Sequence, residues 1–118
     1  MSDCMFCMIA RGDIPTTLVY ADEYVVAFDD IAPQAPVHTL IVPRSHYADI
    51  ADDVPSDLLE ALMRAIPRVA ESKGIAESGY RVIINTGPDA AQSVHHLHVH
   101  VLGGRPMAEG MVAFDEDR

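Results

Sequence analysis

The chain has 118 residues, one ordinary domain's worth, and 49% hydrophobic against 22% charged residues fills a core and excludes a disordered tail. Eighteen acidic residues against eight Lys and Arg give a formal net charge of -10, which repels phosphate backbones and anionic bilayers, so neither nucleic acid nor a membrane is an expected partner. No apolar run approaches the roughly 20 residues of a membrane span, and Met1-Ser2-Asp3-Cys4 lacks a signal peptide's layout. Two cysteines this close cannot staple a fold, so one cytoplasmic domain over residues 1–118 is expected.

In chain order, residues from about Cys4 to Arg11 read as a short helix closed by the breakers Gly12-Asp13-Ile14-Pro15. Leu18 to Ala21 and Tyr24 to Phe28, split by Asp22-Glu23, form a hairpin. Asp30 to Pro36 holds two prolines and reads as an ordered loop. Val37 to Val42, stopped by Pro43, is a strand. Ser56 is the N-cap of the one long helix, whose apolar positions Leu59, Leu62, Met63, Ile66 and Ala70 recur at helical spacing before Gly74. Pro67 should bend it. Tyr80 to Ile84 is a strand, Asn85 to Gln92 a loop, and Val94 to Leu102 a strand alternating with period two until Gly103-Gly104. Strands outnumber helices without βαβ alternation, which predicts an α+β domain with a mostly antiparallel sheet.

Four of the six histidines fall in His95-His96-Leu97-His98-Val99-His100. On a strand, His96, His98 and His100 form a row on one face at intervals of roughly 6.6 to 6.8 Å, with His95 pointing the other way. Packing does not explain three imidazoles on one face, because each buried ring needs a polar partner. Such a row suits a metal, or nucleophilic and acid/base work near neutrality.

Gln92-Ser93-Val94-His95-His96-Leu97-His98-Val99-His100-Val101-Leu102 resembles the alternating signature of the histidine triad superfamily, and Gly103-Gly104-Arg105-Pro106 resembles its purine nucleoside phosphoramidase branch. The likeness continues upstream through Phe28-Asp29-Asp30-Ile31-Ala32-Pro33-Gln34-Ala35-Pro36-Val37-His38 and covers about residues 6–106, leaving an acidic tail at 109–118. It implies a homodimer that takes a purine nucleotide and hydrolyses nucleoside 5'-phosphoramidates or acyl-nucleotides. His98 would be the nucleophile, with a main-chain carbonyl fixing its tautomer. His100 would hydrogen-bond the phosphate or bridging atom, and His96, His38 and Ser93 would complete the polar shell. Asp30 would bind ribose; Ile31, Phe6, Ile9 and Phe28 would line a slot for the base; Asn85 and Gln92 would lie near the phosphate. Gln92 to Gly104 holds no Lys or Arg, so imidazoles, Ser93 and backbone N–H groups would carry the phosphate.

Ala90-Ala91 stands where many members of the branch have Gly-Gly, and alanine is less permissive of positive φ. Cys4 and Cys7 are spaced to share one tetrahedral ion. By resemblance to related uridylyltransferases, His46 and His96 would complete a structural zinc site. A dinucleoside polyphosphate hydrolase and a non-catalytic nucleotide- or zinc-binding regulator are the rival readings.

Overall fold

A computed structural model describes residues 4–115. Met1–Asp3, on which the reading of the N-terminus partly rests, and the last three residues of the acidic tail lie outside the described residues. Helix α1 (Met5–Arg11) is followed by β1 (Tyr20–Ala21), β2 (Val25–Asp29), β3 (Val37–Pro43), α2 (Ser56–Ser72), β4 (Tyr80–Ile83), a 3-10 turn (Pro88–Ala90) and β5 (Val99–Gly103). The strands make one antiparallel sheet in the order β1-β2-β3-β5-β4, the α+β arrangement expected. Among the described residues no helix is long and apolar enough to cross a membrane.

Local chemistry explains most boundaries. Cys4 caps α1 by accepting from the Cys7 N–H through its sulfur, and Gly12 ends the helix with φ 83°, a left-handed conformation that glycine adopts without a Cβ clash. Asp22 Oδ1 accepts from the Tyr24 and Val25 N–H groups at 2.8 Å each, which folds the β1–β2 hairpin. Ser56 is not the N-cap of α2: Pro55 occupies that position with no side-chain cap bond, and Ser56 is already helical. The helix continues through Pro67, which lies on the exposed side, where its missing N–H is least costly.

The buried stripe of α2 is Leu58, Ala61, Leu62, Ala65, Ile66, Val69 and Ala70. It is rotated from the sequence expectation, with Leu59 half-buried and Met63 exposed. This stripe packs on Val25, Ala27, Ile41, Val99 and Val101, the α2-facing side of the sheet. A second cluster, built from Phe6 and Ala10 of α1 with Val26, Phe28, Leu40 and Val42, covers part of the opposite side. Strand alternation therefore gives β5 two faces, with Val99 and Val101 in the main core and His100 and Leu102 on the α1 side.

The expected strand Val94 to Leu102 is only half formed. Regular pairing begins at Val99 opposite Ile41, and the same register would set Leu97 against Pro43, which has no N–H to give. The chain before Val99 bonds elsewhere: Leu97 N–H donates to Tyr47 O at 2.6 Å, and Val94 O accepts from the Gln92 amide at 3.0 Å. Only His100 of the three expected row members lies on the strand; His96 and His98 ride on the irregular run before it.

Candidate active site

The irregular run gives His96 and His98, two residues apart, opposite tautomers. A carbonyl only accepts, so the imidazole nitrogen facing it carries the proton. His98 Nδ1 donates to the His96 carbonyl at 2.7 Å, leaving its Nε2 as the lone-pair nitrogen with no partner among the described residues. His96 does the reverse. Its Nε2 donates to Pro43 O at 2.9 Å, and its Nδ1 lone pair faces Cys4, Cys7 and His46.

A relay connects the next pair. The Gln34 N–H donates to His38 Nδ1 at 3.0 Å, so His38 Nε2 carries its proton and donates to His100 Nδ1 at 2.8 Å. The proton of His100 is thereby placed on Nε2, a buried atom without a hydrogen-bond partner. A buried, unsatisfied N–H costs stability unless a ligand supplies the acceptor. Burial, then the neighbouring His98 and His38, pull the His100 pKa down to about 4, which keeps the ring neutral at physiological pH. The His98 and His100 ring centroids lie 4.9 Å apart, closer than the row spacing expected on a regular strand.

The other expected positions distribute unevenly. Phe6 sets its ring edge-on to His98 at 5.3 Å, to His96 at 6.0 Å and to Phe28 at 5.5 Å, with Ile9 packed on the same cluster. Asp30 Oδ2 stands 3.5 Å from His38 Nε2, and Oδ1 accepts from Ala32 N–H, which shapes the following turn. Ile31 does not join this apolar cluster and is 96% exposed. Ser93 is exposed and Asn85 half-buried. Gln92 is a brace for its loop: Nε2 donates to Ala48 O and Val94 O, and Oε1 accepts from Gly87 N–H. Two of these bonds are local to the loop and the third ties it to Ala48. Ala91 adopts φ 56°, the left-handed region in which an alanine costs energy that glycine does not.

The fourfold cluster brings Cys4, Cys7, His46 and His96 within 4.8 Å of one another through one ligand atom each. Cys7 Sγ lies 3.2 Å from His46 Nδ1 and 3.4 Å from His96 Nδ1, Cys4 Sγ 3.4 Å from His96 Nδ1, and the two Nδ1 atoms 3.2 Å apart. A tetrahedral zinc with bonds of about 2.0 Å to nitrogen and 2.3 Å to sulfur has edges of roughly 3.3 to 3.8 Å, so this donor set fits such an ion. Burial, reinforced by Cys4, raises the Cys7 pKa, so an incoming metal must displace its proton. The main-chain carbonyl expected to fix the His98 tautomer is that of His96, whereas sequence reasoning missed the opposite tautomer of His96 and the part of Gln34, which is played by its backbone.

The chain has the fold of the HIT family hydrolases. A solved structure from Clostridium thermocellum aligns with a TM-score of 0.89 at 43% identity, covering 95% of this chain and 99% of that one. Another from Legionella pneumophila aligns at 0.85 and 43%, covering 91% and 97%. The HIT domain family matches residues 11–107, and the chain belongs to that family. Among characterised relatives, the purine nucleoside phosphoramidase of Escherichia coli is 45% identical over 108 residues, 89% of this chain and 90% of the relative.

Proposed function

We propose that this protein hydrolyses purine nucleoside 5'-phosphoramidates or acyl-nucleotides to the nucleoside monophosphate through a nucleotidyl intermediate on His98. The observation that carries the reading is the pair of committed tautomers: His98 offers an Nε2 lone pair beside a buried His100 Nε2–H that lacks an acceptor. The similarity to a purine nucleoside phosphoramidase supports the substrate class.

In the first step His98 Nε2 attacks phosphorus, the P–N bond to the leaving amine breaks, and the amine departs with that electron pair and one proton drawn from solvent. Water then attacks phosphorus, the P–N bond to His98 breaks, and one proton returns to solvent. Splitting one displacement into two lowers each barrier. The His96 carbonyl holds the Nδ1 proton throughout, orienting the ring and accommodating the charge that develops on attack. His100 Nε2–H donates to a phosphoryl oxygen or to the bridging atom, and His38, fixed by Gln34, keeps that hydrogen pointed outward. Ser93 extends the donor set at the loop. Asp30 binds the ribose hydroxyls, and Phe6, Phe28 and Ile9, with the exposed Ile31 folding over the ligand, contact the base. Asn85 lies on the phosphate side.

A structural zinc held by Cys4, Cys7, His46 and His96 ties α1 to the segment that carries His98; when bound it supplies cross-linking rather than reaction chemistry. The unpaired edge of β4, with Tyr80, Val82 and Ile83 exposed, supports a homodimer. The test of the function is mass measurement after mixing with a slow adenosine 5'-phosphoramidate analogue. A nucleotidyl adduct on wild type that disappears in His98→Ala is the expected result; an adduct that survives the substitution, or turnover retained by the variant, rejects the mechanism.

A further inference from the structure

The side of the sheet that carries the histidines continues past them. From β3 to the β4 edge, one cross-strand row runs Leu40, His100, Ile83 and the next His38, Leu102, Arg81. Phe6 and Phe28 lie over the β2 and β3 end of these rows. At the other end, over β5 and β4, a cavity of about 580 Å³ opens between the loop at Gln34 and Pro36 and the segment after β5, with Arg81, Leu102 and Arg105 in its wall. Gly104, at φ 100° with Pro36 Cβ 2.8 Å from where a Cβ would stand, turns the chain so that Arg105 faces this space.

The charge of the cavity is opposite to that of the molecule. The chain carries -10 overall, yet the cavity wall holds two guanidinium groups and no carboxylate. Arg81 is anchored by one N–H donated to Ala108 O at 3.1 Å, which leaves its other N–H groups for a ligand. A planar guanidinium matches the geometry of a carboxylate.

In a displacement at phosphorus, the nucleoside and the leaving group extend to different sides of the reacting centre. If the nucleoside lies toward Phe6 and Phe28, as the proposed function has it, the leaving group extends past His100 toward Arg81 and Arg105. Resting on that function, we propose that this cavity receives the leaving group and that Arg81 and Arg105 select an amine bearing a carboxylate. The preferred substrate class is then a nucleoside 5'-phosphoramidate whose nitrogen belongs to an amino acid. The amine leaves with the P–N electron pair and a solvent proton, and its carboxylate stays paired to arginine until release.

The test compares the adenosine 5'-phosphoramidate of aspartate with its dimethyl ester, which has the same P–N bond and no free carboxylate, and with a diadenosine polyphosphate. Wild type should favour the free acid over the ester by about 10-fold in kcat/KM, the scale of one charge-assisted contact. Arg81→Gln and Arg105→Gln should each reduce that ratio, and Arg105→Glu should bring it to one or below; Arg105 is exposed, so its variants fold. Equal turnover of acid and ester by wild type overturns the inference while leaving the hydrolase reading intact. Faster turnover of the diadenosine compound than of the free acid overturns it in favour of a phosphate-bearing leaving group. Turnover of none of the three rejects the hydrolase reading, and this inference with it.

Discussion

Two clusters of histidine sit side by side in this molecule, and His96 of one and His98 of the other are wired in opposite senses. In the Cys4, Cys7, His46, His96 group, His96 spends its Nε2 proton on Pro43 O and turns an Nδ1 lone pair toward two sulfurs. In the His38, His98, His100 group, His98 spends its Nδ1 proton on the His96 carbonyl and turns Nε2 outward. The residues are two apart in sequence and chemically alike. On the roles proposed for them, what separates a metal ligand from a nucleophile is which nitrogen a neighbouring carbonyl has claimed.

The largest effect that would break this contrast is expected at His98. Replacing it with Ala should lower turnover of an adenosine phosphoramidate by at least about 10³-fold, as loss of a covalent nucleophile does elsewhere. Purine nucleotide binding, followed by calorimetry, should persist; a variant within about 10-fold of wild type would remove the distinction between the two groups.

The next effect lies in the other cluster. Cys7→Ser should reduce bound zinc, read by elemental analysis, from one equivalent per chain to well below it, and chelation should lower the melting temperature of wild type but not of the variant. Zinc retained at full stoichiometry would contradict the assigned ligands.

A smaller effect sharpens the role of the loop before the histidines. Ala91→Gly relieves the left-handed alanine and should stabilise the fold by about 1 kcal/mol, a rise of about 3 to 5 °C in melting temperature. An unchanged or lower melting temperature would mean that the loop bears no strain there. The smallest expected effect is electrostatic. His100 titrates at about 4 in the folded chain and near 6.5 when unfolded, so below about 6.5 the unfolded state binds more protons. Its contribution to stability should be full above that pH and decline as pH falls toward 4; denaturant melts across this range in wild type and His100→Gln should differ in slope.

Much of this was legible in the residues. The hairpin announced by Asp22-Glu23, the loop through Pro33 and Pro36 and the long helix follow from local chemistry, and the gathering of Cys4, Cys7, His46 and His96 follows from Cys-x-x-Cys together with the family resemblance. The length of β5 was not, because alternation in Val94 to Leu102 says nothing of its neighbour, and the ladder stops where Pro43 would have to donate. Ile31 and Phe6 look alike in a sequence, yet one is exposed and the other packs against two imidazoles. Gln92 shows the converse, since a polar side chain that reads equally as phosphate contact or turn former has its hydrogen-bonding groups occupied by the backbone. The resemblance implies a main-chain carbonyl behind His98, but the Pro43 carbonyl behind His96 and the N–H of Gln34 behind His38 are groups that every sequence contains and none advertises.

The single residue His96 belongs to both clusters, its ring to one and its carbonyl to the other. On the proposed roles, damage to the cysteine cluster should therefore be felt at the phosphorus: oxidation of the Cys4 and Cys7 thiols during storage, or an affinity tag near the N-terminus that competes for a bound ion, would loosen the peptide unit that orients His98. Batches of identical sequence but different handling are expected to differ in specific activity, and their thiol titre should track the difference.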